Sequence, residues 1–209
     1  MTRDWRAWHT AYDHDTPLRA RLAEVRRLVR VALDAAPVGP VRVLSMCAGE
    51  GRDLLGALDG HPRAYDVRAR LVELDPELAG QAASRAPAGV QVVCGDASST
   101  TAYEGAVPAD LVLVCGVFGN IADADIEATI ETLPSLCDSG AHVLWTRHRR
   151  APDRTVDIRR WLSESGFELR SFVSPTPSVG VGLHRFVGTP APFAPGVQMF
   201  TFVGYDNLC

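Results

Sequence analysis

The chain predicts an α/β protein with a doubly wound, mostly parallel seven-stranded sheet, helices on both faces and an N-terminal helical extension. Three observations lead there. From residue 41 to 146, short apolar runs that close on glycine or an acid alternate with stretches of helical apolar spacing. Strands joined through helices take right-handed crossovers, and a parallel sheet built that way is covered on both faces. Two further apolar runs near the end are joined by a segment with no helical pattern, which suits antiparallel neighbours.

The elements follow in order. Thr16-Pro17 reads as a helix start, Thr as N-cap and Pro at the first helical position, with Leu18, Leu22, Val25, Val29 and Leu33 at helical spacing. The Pro37-Val38-Gly39-Pro40 stretch ends it, and VRVLSMCAG from residue 41 reads as a buried strand. A helix over 52–58 stops at Gly60, ARLVEL at 69–74 is the second strand, and Pro76 opens a helix to about Arg85. Residues 90–94, 110–115 and 142–146 supply strands three to five. Between the last two of these, Asp123 or Asp125 is expected to cap a helix striped by Ile126, Ile130, Leu133 and Leu136, with Pro134 distorting its final turn. A helix near 155–165 ends at Gly166. FELRSFV at 167–173 and VQMFTFV at 197–203 are expected as the last two strands, joined by the Pro-rich segment 174–196.

Composition bounds the function. With 209 residues, 46% hydrophobic and net charge −4, the chain reads as one domain over 1–209, with an extension at 1–36 and a core at 41–209. No window approaches the roughly 18 apolar residues of a membrane span, and the polar, acidic start is unlike a signal peptide, so a cytoplasmic protein is expected. All positive charge is arginine, outnumbered by 25 acidic residues with no basic tail, so a nucleic-acid partner gains no electrostatic support. Cysteines at 47, 94, 115, 137 and 209 show neither disulfide nor zinc spacing, so no metal is expected; Cys94 and Cys115 read as small buried hydrophobes.

In an open α/β sheet, ligands bind beyond the carboxyl ends of the strands. Glycines at 49 and 51 let a ligand lie against backbone N–H groups at a helix N-terminus. Glu73 follows Gly49 by 24 residues, where a carboxylate can accept from a ribose diol, and Asp96 ends the third strand, placed to accept from an exocyclic amine. Together these describe an adenosine site. The third glycine of a dinucleotide loop is replaced by Leu54, and acidic Glu50 and Asp53 suit a cationic ligand better than a diphosphate. A Walker loop is excluded, because the chain has no lysine.

The motifs VLSMCAGEGRDL at 43–54, LVELDPEL at 71–78, VVCGDAS at 92–98 and ADLVLVCGVFGNI at 109–121 resemble those of the class I S-adenosylmethionine-dependent methyltransferases. The resemblance implies strand order 3-2-1-4-5-7-6 with the seventh strand antiparallel. It also implies S-adenosylmethionine as cofactor and S-adenosylhomocysteine as product. Carried over by position, Ala48, Gly49 and Gly51 would underlie the methionine part, and Glu73 would hold the ribose. Leu74 would cover one adenine face, Asp96 would meet the adenine amine, Ala97 would offer its backbone N–H, and Cys115 and Gly116 would lie beside the sulfonium. Asp75 is better read as the cap of the helix at Pro76.

Trp5, Trp8, His9, Tyr12 and Asp13 crowd the first 13 residues. A lid is one expectation, with Tyr12 or Trp8 facing the methyl donor and Arg19 or Arg21 near the methionine carboxylate; anchoring of a helix is the other. A sulfonium is already activated, so methyl transfer needs chiefly an acceptor held in line. His184, in the Gly-rich run VGVGLHRF, is the preferred general base, His148 the second, and Asn120 the positioning group. A small-molecule acceptor is expected, in a monomer or homodimer. Aminopropyl transfer, NAD use, or a cofactor-binding protein without turnover are the alternatives.

Overall fold

Val41, Val43 and Leu44 are β-branched or bulky and buried on both faces, the pattern a central parallel strand requires. They form β1 (Val41–Met46), the axis around which the rest is laid in the computed structural model, which describes residues 16–203. Before it comes α1 (Thr16–Ala35); after it, α2 (Arg52–Leu58), β2 (Val67–Glu73), α3 (Pro76–Arg85), β3 (Val90–Cys94), β4 (Ala109–Val114), α4 (Asp123–Leu136), β5 (Cys137–His148), α5 (Thr155–Glu164), β6 (Phe167–Thr176) and β7 (Val179–Phe186).

The seven strands pair in the order β3-β2-β1-β4-β5-β7-β6, as the resemblance implied. β1 to β5 are parallel, and β7 runs antiparallel to both β5 and β6. The register aligns Met46 with Val72, Ser45 with Leu113 and Glu73 with Cys94, so β1 to β4 end together along one edge. α1 and α2 cover one face, seating Leu28, Val29, Leu33 and Leu54 on Val43, Leu71, Leu113 and Leu144. α4 and α5 cover the other, seating Ile126, Ile130, Ile158 and Leu162 on the face that carries Leu44, Val112, Val143 and Trp145. Each such fully buried side chain stabilises the fold by roughly 1.5–3 kcal/mol, before the conformational entropy lost.

The end of α1 is closed by a residue 30 positions away. Arg63 donates to the carbonyls of Leu33, Ala36, Pro37 and Gly39 at 2.7–2.9 Å, satisfying carbonyls that a helix end leaves without intrahelical partners.

The structure corrects the sequence reading in four places. The seventh strand is Val179–Phe186, inside the stretch expected to be a bare connection, and His184 therefore lies on a strand. Residues 197–203 form only isolated bridges, Ser99 with Gln198 and Ile121 with Phe202. The N-cap of α4 is Ala122 without a side-chain cap; Asp123 instead pairs with Arg154 at 2.8 Å, and Pro134 sits within the helix, which runs on to Leu136. Cys94 is exposed at the end of β3, whereas Cys115 is buried. Among the described residues no helix is long and apolar enough to cross a membrane, and no cluster of His, Cys, Asp or Glu could hold a metal ion. Thr16, expected as the cap, is the first residue of α1, and the aromatics Trp5, Trp8 and Tyr12 lie outside the described residues.

Candidate functional site

The aligned carboxyl ends of β1 to β4 open onto a cavity of about 390 Å³, within the size range of small-molecule sites. Its walls include Arg21, Cys47, Ala48, Asp53, Glu73, Leu74, Asp96, Ala97, Cys115 and Gly116, side chains more than 90 residues apart in sequence. The fold gathers them because each strand delivers its last residues to the same edge.

The turn after β1 is built for close approach. Gly49 and Gly51 have φ +55° and +72°, which glycine alone adopts without strain, and Cys47 at φ +51° shares that region despite its side chain. A Cβ on Gly51 would meet Leu55 at 2.8 Å and Leu71 at 3.0 Å, so the turn is held against strand and helix by the missing side chain. Gly51 then starts α2.

Glu73 organises the next wall. Its Oε2 accepts from the Gly49 amide at 2.7 Å and its Oε1 from the Asp75 amide at 2.9 Å. A nearly buried carboxylate therefore ties the loop after β1 to the loop after β2, and each oxygen keeps a further lone pair. Asp75 behaves as expected of a cap: its Oδ1 accepts from the amides of Glu77 at 2.8 Å and Leu78 at 3.2 Å. Leu74, between them, is 68% exposed at the rim, an apolar surface that an apolar ligand face would cover.

After β3, Asp96 accepts at Oδ1 from the amide and hydroxyl of Ser98 at 2.9 and 2.6 Å, fixing the carboxylate at the cavity wall. Ala97 is held through its carbonyl, which accepts from the buried Tyr103 hydroxyl at 2.6 Å. After β4, the Gly116 amide donates to Thr146 Oγ1 at 3.0 Å, and Arg21 reaches the same hydroxyl at 3.3 Å. Arg21 also lies 3.6 Å from Asp53, so α1 is pinned to α2 and to β5 beside the cavity. Arg19, the alternative to Arg21, is exposed on α1.

Charge in the cavity is predominantly negative: Asp53, Glu73, Asp75 and Asp96 face Arg21 and Arg52. Glu50, expected to contribute, does not. It is buried and neutralised by Arg52 at 3.0 Å and Arg85 at 2.9 Å. Burial, followed by the nearby Glu73 and Asp96 carboxylates, pushes the Cys47 thiol well above its usual range, and burial with Asp53 does the same for Cys115. Both stay neutral thiols and add no charge.

The three residues expected at the transfer site are placed differently. His184 is not at the cavity. It pairs with Val143 in mid-sheet, is 1% exposed, and its Nδ1 accepts from the Trp145 indole at 3.2 Å. Burial, and then Arg159, holds its pKa down at about 4. His148 ends β5 and packs on Gly119; burial, then Arg147 and Arg150, lowers it to about 4 as well, so it is neutral at pH 7 and a weak base. Asn120 is buried just beyond β4, its Nδ2 donating to the Gly116 carbonyl at 2.6 Å, while its Oδ1 has no partner. Neither His148 nor Asn120 lines the cavity, but Asn120 is bonded to Gly116, which does.

A wall residue that lies outside all four sequence motifs was not foreseen. Phe202 enters the cavity from the C-terminal segment, paired with Ile121 after β4. The run VQMFTFV shows aromatic content, but nothing in it says where the segment docks.

No protein-family model matches the chain, and no curated protein matches it in sequence. Solved structures do match in shape. Magnesium protoporphyrin IX methyltransferase from Synechocystis PCC 6803 with bound SAH superposes with TM-score 0.67 at 13% identity, over 87% of this chain and 93% of that one. N-methyltransferase NodS from Bradyrhizobium japonicum WM9, in complex with S-adenosyl-L-homocysteine, gives 0.64 at 18% identity, over 88% and 93%. The 1,6-didemethyltoxoflavin-N1-methyltransferase of Burkholderia thailandensis gives 0.61 at 16%, over 88% and 87%. The chain has the fold of the class I S-adenosylmethionine-dependent methyltransferases.

Proposed function

We propose that this chain is a transferase that binds S-adenosylmethionine in the cavity at the carboxyl edge of β1 to β4 and passes its methyl group to a small-molecule acceptor, leaving S-adenosylhomocysteine. The observation that carries this reading is Glu73. Its two oxygens are already aimed by the Gly49 and Asp75 amides, so their remaining lone pairs form a preset acceptor pair for a vicinal diol. The three structural neighbours described above are methyltransferases by name, each with S-adenosylhomocysteine bound and one of them with 1,6-didemethyltoxoflavin beside it, which agrees with this chemistry.

The residues present fit such a ligand. Gly116, at φ +78° with open space where a Cβ would stand, leaves room at the end of β4. Leu74 offers an apolar surface for one ring face and Asp96 an acceptor for an amine, with Ala97 beside it. The carboxylate excess favours a cation over a diphosphate. When bound, the ligand supplies a methyl group on positively charged sulfur, a donor that needs no further activation. The chain's share of the work is then to hold donor and acceptor in line and to keep water out. Ala48, Gly49 and Gly51 hold the amino-acid end from below, with Arg21 as the cation for its carboxylate and Tyr12 as a candidate cover. Cys115 and Gly116 lie beside the sulfur.

Asn120 is the positioning group for the acceptor, and His148 the group that takes its proton where the acceptor has one to lose. His184 takes no part, being enclosed between β5 and β6. Calorimetry with S-adenosylmethionine, S-adenosylhomocysteine and NAD tests the reading. Binding of the first two but not the third is expected, and tighter binding of NAD overturns it. Cofactor binding without turnover on any acceptor would move the chain to a regulatory role on the same fold.

A further inference from the structure

We infer that the outer edge of β3 is a self-association surface, on which a second copy of this chain adds its own β3 in antiparallel, two-fold pairing and joins the two sheets. β3 stands first in the strand order, so one of its sides has no strand beside it. The inference is independent of the cofactor reading above.

The ladder with β2 fixes which groups face that side. Ala69 N donates to Gly89 O and Gly95 N to Glu73 O, both at 2.9 Å, so β3 turns Gly89, Gln91, Val93 and Gly95 toward β2. Alternate residues point the opposite way, which sends the amides and carbonyls of Val90, Val92 and Cys94 outward. The Val90 amide bends back onto Pro87 O at 3.1 Å. Among the described residues no hydrogen bond reaches the Val90 carbonyl or the backbone groups of Val92 and Cys94 on this side. The strand Val90–Cys94 holds no charged residue and no proline, keeps an unbroken register with β2, and buries none of its side chains fully. A regular, neutral edge of this kind is a template for another strand. The opposite edge of the sheet is defended. β6 carries the exposed pair Glu168 and Arg170 at 3.0 Å, contains Pro175, and breaks register with β7 between Leu169 and Ser171 and again between Val173 and Thr176.

A second copy is the occupant because the pairing is self-complementary. With the two-fold axis at Val92, each Val92 exchanges both backbone bonds with its counterpart, and each Cys94 amide donates to the Val90 carbonyl of the other copy. Gln91 then faces Val93, so no charged side chain of the strand meets its own image. Charge matches at the ends. Arg68 is exposed at the start of β3, where a Cβ on Gly89 would stand 3.1 Å from its Nη1. The pairing sets Gly89 opposite Gly95 of the other copy, next to Asp96, where the carboxylates of Asp75 and Asp96 make the end of the sheet negative. The two-fold axis repeats this match of cation with carboxylate at both ends of the paired strands.

The test is analytical ultracentrifugation of the full chain, with a reductant present so that no disulfide at the exposed Cys94 stands in for pairing. The wild type should sediment at twice the chain's mass at about 100 μM and pass to the monomer on dilution to about 1 μM. Val92→Pro removes an outward amide, spares the ladder with β2 and should be monomeric throughout. Arg68→Glu sets carboxylates against carboxylates and should weaken the dimer by at least about tenfold. Amide hydrogen exchange of the wild type, read residue by residue, needs no variant. The Val92 and Cys94 amides should exchange at least about tenfold more slowly at the higher concentration than at the lower, with Gln91 and Val93 protected at both. Where Val92→Pro fails to fold, Arg68→Glu and the exchange pattern decide. A wild type that is monomeric at the higher concentration overturns the inference. So does a dimer that survives both substitutions, or one whose Val92 and Cys94 amides exchange as fast as in the monomer, because pairing then lies elsewhere.

Discussion

If His184 is a core residue rather than a base, acid should unfold the protein through it. Its imidazole has a pKa of about 4 in the fold, lowered by burial and by Arg159, against about 6.5 when exposed. The unfolded chain therefore holds the proton more tightly, and stability must fall as pH drops from 6.5 toward 4. The contribution is intact above pH 6.5. At pH 5 the linkage relation with these two values gives a loss of about 2 kcal/mol relative to pH 7, and by pH 4 about 3 kcal/mol. Neutrality also explains the contact with Trp145: the indole N–H donates to Nδ1, which must carry a lone pair, leaving the proton on Nε2. Urea unfolding at pH 7 and pH 5 checks the magnitude, with His184→Leu as the reference that cannot titrate. His148 and the carboxylates titrate in both chains, so the difference in pH dependence isolates His184. The wild type should lose about 2 kcal/mol more than the variant between the two pH values. Equal losses would refute the reasoning.

Other consequences follow from packing and capping. A Cβ on Gly182 would stand 2.4 Å from Trp145 Cε2, so Gly182→Ala overpacks the sheet; a loss of about 1–3 kcal/mol is expected, read as a fall of about 2–12 °C in Tm by circular dichroism. Arg63→Met removes the donors to four carbonyls in and just beyond the last turn of α1 and should cost about 2 kcal/mol in urea unfolding; a cost under about 0.5 kcal/mol would mean water replaces the guanidinium freely. Asp75→Ala deletes the cap of α3 and should cost about 1 kcal/mol of stability, while S-adenosylhomocysteine affinity measured by calorimetry stays within about twofold.

Much of the sheet was legible, and the reasons it was not entirely so are physical. β1 to β5 are apolar runs flanked by turn residues, and their order along the chain carries Glu73, Asp96 and Gly116 to one edge with no long-range information needed. β7 was hidden by its own glycines. Glycine is depleted in strands, yet Gly180 and Gly182 are placed where Phe172 at 2.9 Å and Trp145 at 2.4 Å leave no room for a Cβ. The run 197–203 misled for the converse reason: its aromatic content satisfies docking onto α4 and the site loops, with Met199 O accepting from Thr129, rather than sheet pairing. Glu50 was misassigned because its neutralising partner Arg85 lies 35 residues away on α3. Phe202 was missed because a strap's docking path depends on backbone bonds to Ser98, Asn120 and Asp125, which no local pattern encodes.

The grip of Glu73 on the ligand's sugar is the central claim, and titration calorimetry of Glu73→Ala with S-adenosylhomocysteine tests it most directly. Hydrogen bonds to a charged acceptor contribute about 1.5–3 kcal/mol, so a loss of at least about tenfold against the wild type is predicted. Wild-type affinity in a variant whose circular dichroism spectrum is unchanged would contradict the account.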